Sequence, residues 1–490
     1  MFHLQIKNHV LTIFGTGGTE LLKSTVSEPE LELEIHGIYG VIEFNDSQSI
    51  VAVTDAKLVG EVENSDVFEI KKVEVFLIKG NYNYHLKRSI QDFFRLPGMY
   101  FSQYPLYKRA NIKYDSVFRF NEIPRKNFLK FFTSKGSSSL MLDCIQGFYG
   151  KFQDLTLIAR RCPSRTGARF FSRGIDDHGF PSNFVETEQK MKNQNSYIQI
   201  RGSIPLKWRH KIGYAYTPPI EIIDSKKFTL SHQLLEKIYK KDIIYLNLIH
   251  ETGSEGPLYE AFNKALRKNS LNFFNYNFKK NISKRNFPFD FKKSGFTGSK
   301  IEQKAVIRTN CIDCLDRTNA MQSEIGKQIL SLQLKDTGID DQASIEKYTE
   351  AHHKLYKECG NMLSIQYAGT KAMSSHAIGI NSGSIKGALA DLSLGITRYT
   401  INRMAHGSLN DSYGIVTGIR TNGKVLTAIS TKIMLLRLCF YFSLILGILG
   451  KNVKYFNTHK VSKVCLILLM IYFFPVAVPI NYPRINENEK

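Results

Sequence analysis

Acidic residues are in short supply: 44 stand against 66 lysines and arginines, leaving +22 on a chain of 490 residues. A deficit of that size draws polyanions, whether nucleic acid, an anionic membrane or a phosphorylated substrate. Arginine-rich tracts and compact zinc-finger spacings are missing, and the aromatic residues are scattered. Nucleic acid is therefore not expected as a partner, whereas an anionic lipid surface is. Cysteine is sparse and odd in number, at seven, which argues against a disulfide framework. The opening MFHLQIKNHVLTIFGTGGTE has no charged stretch leading into an apolar run and a small-residue cleavage site. No secretory signal is expected from it, and the polar part of the chain should face a reducing cytosol. The length exceeds one ordinary core, so two soluble domains, or one large domain with appendages, are expected.

Polar residues run out near the C-terminus. Residues 433–449 (IMLLRLCFYFSLILGIL) are apolar apart from Arg437 and Ser443, and residues 464–480 (VCLILLMIYFFPVAVPI) carry no charge. Each stretch has 17 residues, the lower limit for a helix that spans a bilayer core. A transmembrane hairpin over 433–480 is the expectation; buried core helices and a re-entrant hairpin are the alternatives. Lysines and arginines are nearly balanced between the hairpin loop (Lys451, Lys454, Lys460, Lys463) and its flanks (Arg420, Lys424, Lys432, Arg484, Lys490), so the charge rule does not orient it.

The first 120 residues read as β-rich. GIYGVIEF, SIVAVT and VEVFLI are short runs of β-branched and aromatic residues bounded by Gly, Asn, Asp and Ser. SKGSSS at 134–139 reads as a loop or linker, and no internal repeat is present. Residues 263–300 are polar, basic and aromatic, as in a solvated basic helix or loop, or a patch that faces anionic lipid. The segment 413–432 reads as a linker to the hairpin.

The strongest pattern lies at 304–334. AVI (305–307) predicts a strand, RTNCIDCLD a tight loop, and RTNAMQSEIGKQILSLQL a helix with Met321, Ile325, Ile329 and Leu332 on one face. Five residues separate Cys311 from Arg317, and Thr318 follows. A loop of that length between strand and helix can turn its backbone N–H groups inward as an anion nest, reinforced by the helix N-terminus. Arg317 could clamp two phosphate oxygens, and the combined field would lower the Cys311 thiol pKa and make it a nucleophile. Departure of an alkoxide also needs an acid; Asp313 is the candidate, with Asp316 either an alternative or an acceptor for the loop's own N–H groups. No metal or cofactor is required by this chemistry. Cys311 and Cys314 also form a CxxC, open to redox or zinc chemistry, but no second cysteine or histidine pair stands at useful spacing; Cys314 is as readily a small buried residue.

RTNCIDCLDRTN at 308–319 closely resembles the signature of the Sac-domain phosphoinositide phosphatases. RRCPSRTGARFFSRGIDDHGFPSNFVETEQ (160–189), QIRGSIPLKW (199–208) with the single tryptophan Trp208, NLIHETGSEGPLYEAF (247–262), FPFDF (287–291), QYAGTKA (366–372) and RYTIN (398–402) are similar to further blocks of that family. GIYGVI (37–42) and MYFSQYPL (99–106) also fit. The resemblance implies an α/β catalytic domain with a cysteine phosphate-binding loop (136–412), a β-rich N-terminal domain (1–135) and, as in membrane-anchored members, the C-terminal hairpin. It implies Cys311 as nucleophile, Arg317 as phosphate clamp and Asp313 as acid. Asn310, Ile312, Cys314, Leu315, Asp316 and Thr318 would line the phosphate, with Arg308 and Asn319 supporting the loop. Arg173, Asp176, Asn183, Glu186 and Glu188 are expected near the site. The implied activity is removal of phosphate from phosphatidylinositol monophosphates, the 4-phosphate first, at the cytosolic face of endoplasmic reticulum or Golgi. A catalytically silent phosphoinositide-binding scaffold and a cysteine-class protein phosphatase are the competing readings. The chain departs from the family pattern at Ser374, Ser375 and His376, in LYKECGNML just ahead, and in the NENEK tail.

The basic stretch generates a first test. Neutralising Lys279, Lys280, Lys284 and Arg285 should raise the apparent KM for a phosphoinositide in anionic vesicles far more than for a soluble short-chain analogue, since only the vesicle offers a charged surface. Equal effects on both substrates would remove the membrane-facing assignment.

Overall fold

Alternation of apolar and polar side chains sets the first sheet. In β1 (Phe2–Lys7), β2 (Val10–Phe14), β3 (Glu20–Thr25) and β4 (Leu31–Ile35), Leu4, Ile6, Leu11, Ile13, Leu22 and Ile35 turn to one face and are buried. The strands pair antiparallel in the order β3-β2-β1-β4. The computed structural model describes residues 1–15, 17–108, 116–133, 136–191, 195–211, 218–277, 303–373 and 385–425. The two apolar stretches 433–449 and 464–480, the basic 278–285, FPFDF (287–291) and Ser374, Ser375 and His376 lie outside the described residues. Among the described residues no helix is long and apolar enough to cross a membrane.

The main sheet begins with β5 (Gly37–Phe44), β6 (Ser47–Val62) and β7 (Ser65–Lys79). The hairpins joining β1–β2, β5–β6 and β6–β7 each have two central residues at positive φ: Asn8-His9, Asn45-Asp46 and Glu63-Asn64. That is the backbone of a two-residue turn whose twist matches the strands it joins. Then come α1 (Tyr84–Phe94), β8 (Met99–Ser102), α2 (Glu122–Phe131), β9 (Cys144–Phe152), β10 (Leu155–Arg161), β11 (Val185–Met191) and β12 (Asn195–Gly202). A small antiparallel hairpin, β13 (Lys207–His210) with β14 (Ile220–Asp224), stands apart from this sheet. The chain continues with α3 (Phe228–Tyr239), β15 (Asp242–Asn247), α4 (Gly256–Lys268), β16 (Phe273–Asn275), β17 (Ala305–Asn310), α5 (Asp316–Asp336), α6 (Gln342–Ala368), α7 (Ile385–Met404) and α8 (His406–Val416).

Among the described residues eleven strands form the main sheet, in the order β16-β15-β17-β12-β11-β10-β9-β8-β7-β6-β5. From β5 to β12 every pairing is antiparallel; the pairings β12–β17, β17–β15 and β15–β16 are parallel. The large mixed sheet with its helices is consistent with a Sac domain. The ladder passes from β8 to β9 without a break (Tyr100 opposite Ile145), so segments 1–135 and 136–412 share one sheet. Residues 413–416, expected in a linker, are instead the last turn of α8. Tyr413, Ile415 and Val416 are fully buried and join the core around Phe93, Phe120 and Ile42. The aromatic interior of that core, not the local sequence of 413–432, holds them there.

Charge is buried within the same sheet. Arg160 on β10 stands directly opposite Glu186 on β11, and its guanidinium reaches Glu186 (3.1 Å) and Glu188 (2.5 Å). All three side chains are nearly inaccessible to solvent. Burial alone would raise the Glu188 pKa; Arg160 and Ser196 Oγ together bring it below the ordinary value. Glu186 and Glu188, expected near the site, are the partners of Arg160 within the sheet. Arg160→Ala leaves two buried carboxylates without their cation and should destabilise the protein by about 3–5 kcal/mol, read from the midpoint of denaturant unfolding. The wild-type Glu188 contribution should be present above the unfolded carboxylate pKa and lost as pH falls through its depressed folded value.

Candidate active site

Parallel strands β17 and β15 end together (Asn310 opposite Asn247), and the loop 311–315 leaves β17 at that end to enter α5. Ligands of open α/β sheets collect at such carboxyl ends. Asn310 fixes the exit: its carbonyl accepts from Leu248 N (2.8 Å) and its Nδ2 donates to Arg308 O (2.9 Å). The loop has no glycine, so its left-handed turn falls on Cys314, at φ 52°. For a residue with a side chain this costs on the order of 1–2 kcal/mol. Neighbours hold it: Cys314 Sγ donates to Cys311 O (3.3 Å), and Arg201 Nη1 on β12 reaches Cys314 O (3.4 Å) and Asn319 Oδ1. Burial pushes the Cys314 thiol up to about 12, the condition of an inert, packed cysteine. Leu315 packs against Tyr367 and Ala368. Thr318 is fully buried, and its hydroxyl has no hydrogen-bond partner among the described residues.

Cys311 and Arg317 are brought to one loop, as their spacing implied, but their electrostatics differ from expectation. Cys311 is 2% exposed. Burial is the largest influence on its thiol and raises the pKa; Arg317 and the Asp313 N–H lower it, while the Glu255 and Asp313 carboxylates raise it further. The net direction is upward, against the lowered value expected. Arg317 opposes burial but is itself paired: its Nη1 donates to Leu248 O (2.8 Å) and Glu255 Oε2 (3.0 Å) while Nη2 donates to Glu255 Oε1 (2.6 Å). Its charge is shared with a carboxylate supplied by the turn Gly253–Glu255, which opens α4.

Asp313, the candidate acid, is engaged by two arginines. Its carboxylate is gripped by Arg169 Nη2 (2.6 Å) and by Arg173 Nη2. Burial would raise its pKa, but the two guanidiniums outweigh burial and hold it well below the carboxylate range. A carboxylate so held accepts from both guanidiniums, an arrangement that favours its ionised form. Asp316, the alternative, accepts from Met373 N (2.6 Å) and Arg398 Nη1 (3.0 Å), which ties the α5 N-terminus to the turn after α6 and to α7.

Of the more distant candidates, Arg173 and Asn183 reach the loop. Arg173 Nη1 donates to Ile312 O (2.7 Å) and Tyr367 Oη (3.0 Å), and Asn183 Nδ2 donates to Asp313 O (3.2 Å). Gly174 lets the Arg173 segment lie on β13: at φ 62°, a Cβ there would stand 2.5 Å from Leu206 O and 2.8 Å from Trp208 N. Arg308 lies under the loop, donating to Ser203 O (2.9 Å). Asp176 instead braces its own turn, accepting from His178 N and Phe180 N. Sequence reasoning did not single out Arg169, Arg201, Glu255, Tyr367 or Arg398. All lie in blocks that resemble the family, but between 50 (Tyr367 to Arg317) and 142 (Arg169 to Cys311) positions separate them from Cys311–Arg317 in sequence, and only the fold brings them together. Among the described residues no group of three or more His, Cys, Asp or Glu side chains is arranged to hold a metal ion.

Residues 36–294 match the SacI homology domain. The chain is 29% identical over 454 residues to phosphoinositide phosphatase SAC6 of Arabidopsis thaliana, covering 78% of this chain and 75% of that one. It is 27% identical over 463 residues to phosphoinositide phosphatase SAC7 of the same plant, covering 81% and 76%. Against phosphatidylinositol-3-phosphatase SAC1-B of Danio rerio, identity is 32% over 304 residues, 55% of this chain and 51% of the relative.

The charges around Cys311 predict its titration. Asp313→Asn removes an anion that raises the thiol pKa and leaves Arg169 and Arg173 uncompensated beside it, so the Cys311 pKa should fall. Iodoacetamide alkylation of Cys311, followed by mass spectrometry across pH, should show its inflection at lower pH in the variant. An unchanged or higher inflection would contradict this account.

Proposed function

The chain belongs to the SacI homology domain family of phosphoinositide phosphatases, and on that footing we propose that it hydrolyses phosphatidylinositol monophosphates, the 4-phosphate first, through a phosphate ester on Cys311. The observation that carries this reading is the convergence of Cys311, at the carboxyl end of β17, and Arg317, in the first turn of α5, on one buried loop. The thiolate attacks phosphorus: the S–P bond forms, the P–O bond breaks, and the electron pair leaves with the inositol oxygen, which takes a proton. Water then attacks the cysteinyl-phosphate, the S–P bond breaks, and the thiolate is regenerated. Backbone N–H groups and Arg317 neutralise charge on the transferring phosphoryl group.

The thiol of Cys311 is raised by burial, so the thiolate forms only when positive charge gathers about it. Arg317 supplies that charge by exchanging Glu255 for phosphate oxygens, a trade of one bidentate anion for another. Membrane anchoring by 433–480, with the catalytic face toward the cytosol at endoplasmic reticulum or Golgi, fits the basic surplus and would hold enzyme and lipid on one surface. The name of the Danio rerio relative specifies the 3-phosphate, so ring position is the first specificity to measure.

Phosphate release from vesicles carrying each phosphatidylinositol monophosphate, in EDTA, tests the reading with the full-length protein and Cys311→Ser. Release should vanish in the variant and be fastest on the 4-phosphate. A folded wild type that binds these lipids but releases nothing would leave the silent scaffold as the function. Release that survives in Cys311→Ser would remove the cysteine mechanism.

A further inference from the structure

An alkoxide leaves phosphorus readily only if it is protonated as it goes, and the two aspartates of the loop are engaged elsewhere. Asp313 is tied to two guanidiniums, and Asp316 to Arg398 and the Met373 N–H. Glu255, like Asp313, is a carboxylate whose charge acts on Cys311. Its oxygens receive Arg317 and the backbone N–H of His250 (2.7 Å), and its side chain is 12% exposed.

We propose that Glu255 is the proton donor of the reaction, released for that role when the substrate phosphate takes Arg317 from it. The inference rests on the phosphatase reading above. The exchange conserves hydrogen bonds, because a phosphate presents the Arg317 fork with two oxygens as Glu255 does. It also reverses the surroundings of the carboxylate. Before exchange the carboxylate faces a guanidinium; afterwards it faces a phosphate dianion, and a neighbouring negative charge favours the neutral form of a carboxyl group. The groups that contact it are Arg317 from α5 and the backbone N–H of His250 from its own segment, and Cys311 of the loop feels its charge. On substrate entry the Cys311 thiol gives up one proton and Glu255 gains one, so no net proton is exchanged with solvent.

The proton balance closes over the cycle. In the first step the S–P bond forms, the P–O bond breaks and the Glu255 proton passes to the inositol oxygen. In the second, Glu255 carboxylate takes a proton from the attacking water, the O–P bond forms, the S–P bond breaks, and both thiolate and protonated acid are restored.

The test uses full-length wild type, Glu255→Gln and Glu255→Asp, with melting curves to confirm folding. Two substrates are compared: phosphatidylinositol 4-phosphate in vesicles, whose leaving group needs a proton, and 4-nitrophenyl phosphate, whose leaving group does not. Glu255→Gln should lower kcat on the lipid by about 100-fold or more, the usual range for losing a general acid, and the loss on the aryl phosphate should be at least roughly tenfold smaller. The basic limb of the wild-type kcat–pH profile should disappear in the glutamine variant, and Glu255→Asp should recover part of the lipid activity. Equal losses on both substrates would reduce Glu255 to a structural partner of Arg317. A gain of activity in Glu255→Gln would make it a restraint on Arg317; either result overturns the proposal. Lipid phosphate release by wild type that persists in Cys311→Ser would overturn the phosphatase mechanism itself, a separate outcome.

Discussion

The Asp313 carboxylate, caught between the guanidiniums of Arg169 and Arg173, is the contact on which the site depends. It fastens the short loop after β17 to a segment that precedes it by more than a hundred residues, and Arg173 extends the same grip to the Ile312 carbonyl and the Tyr367 hydroxyl. Tyr367 hands it on, donating to the Arg169 and Ser172 carbonyls. A glycine-free loop with a left-handed cysteine would be costly alone; surrounded by these donors it has one arrangement. The charge of Asp313 is engaged by these two guanidiniums.

Arginine recurs beneath the site with unlike partners. Arg160 is neutralised by two glutamates within the sheet and belongs to its stability. Arg201 and Arg308 are fully buried and donate to carbonyls and to Asn319, so their charge is only softened by dipoles. Arg317 stands at the edge, paired with Glu255 in a contact that a phosphate can replace in kind. Charge is thus fixed deep in the fold and exchangeable at the loop, where an anionic substrate would arrive. Cys311 lies between the two regimes, its thiol pKa raised by burial and lowered by Arg317.

The mixed sheet explains why one segment can carry so many supports. Antiparallel strands β5 to β12 build a wide platform, and the parallel group β12, β17, β15 and β16 places successive strand ends on one side. Loops from β15 and β17 therefore meet: Leu248 and Glu255 come from the first, Cys311 to Arg317 from the second. Helices α6, α7 and α8 close the opposite flank through Tyr367, Arg398 and Asn410, whose Oδ1 accepts from Ala168 N (3.2 Å).

Local sequence determined the strand–loop–helix around Cys311. An apolar triplet, a Cys-x5-Arg spacing and a helical apolar period are short-range signals, and β17 and α5 carry them. It determined the β-rich start as well, since alternation and turn residues act over a few positions. What only the tertiary structure decided is the charge state of the site. Whether Asp313 gives or keeps a proton depends on Arg169 and Arg173, and whether Cys311 is a thiolate depends on burial and on Glu255. None of these is near in sequence, and electrostatics falls off with distance in space, not along the chain. The same reason moved 413–416 from an expected linker into the core: a tyrosine, an isoleucine and a valine are buried there by aromatic residues contributed from α1 and from Phe120, far away in the chain.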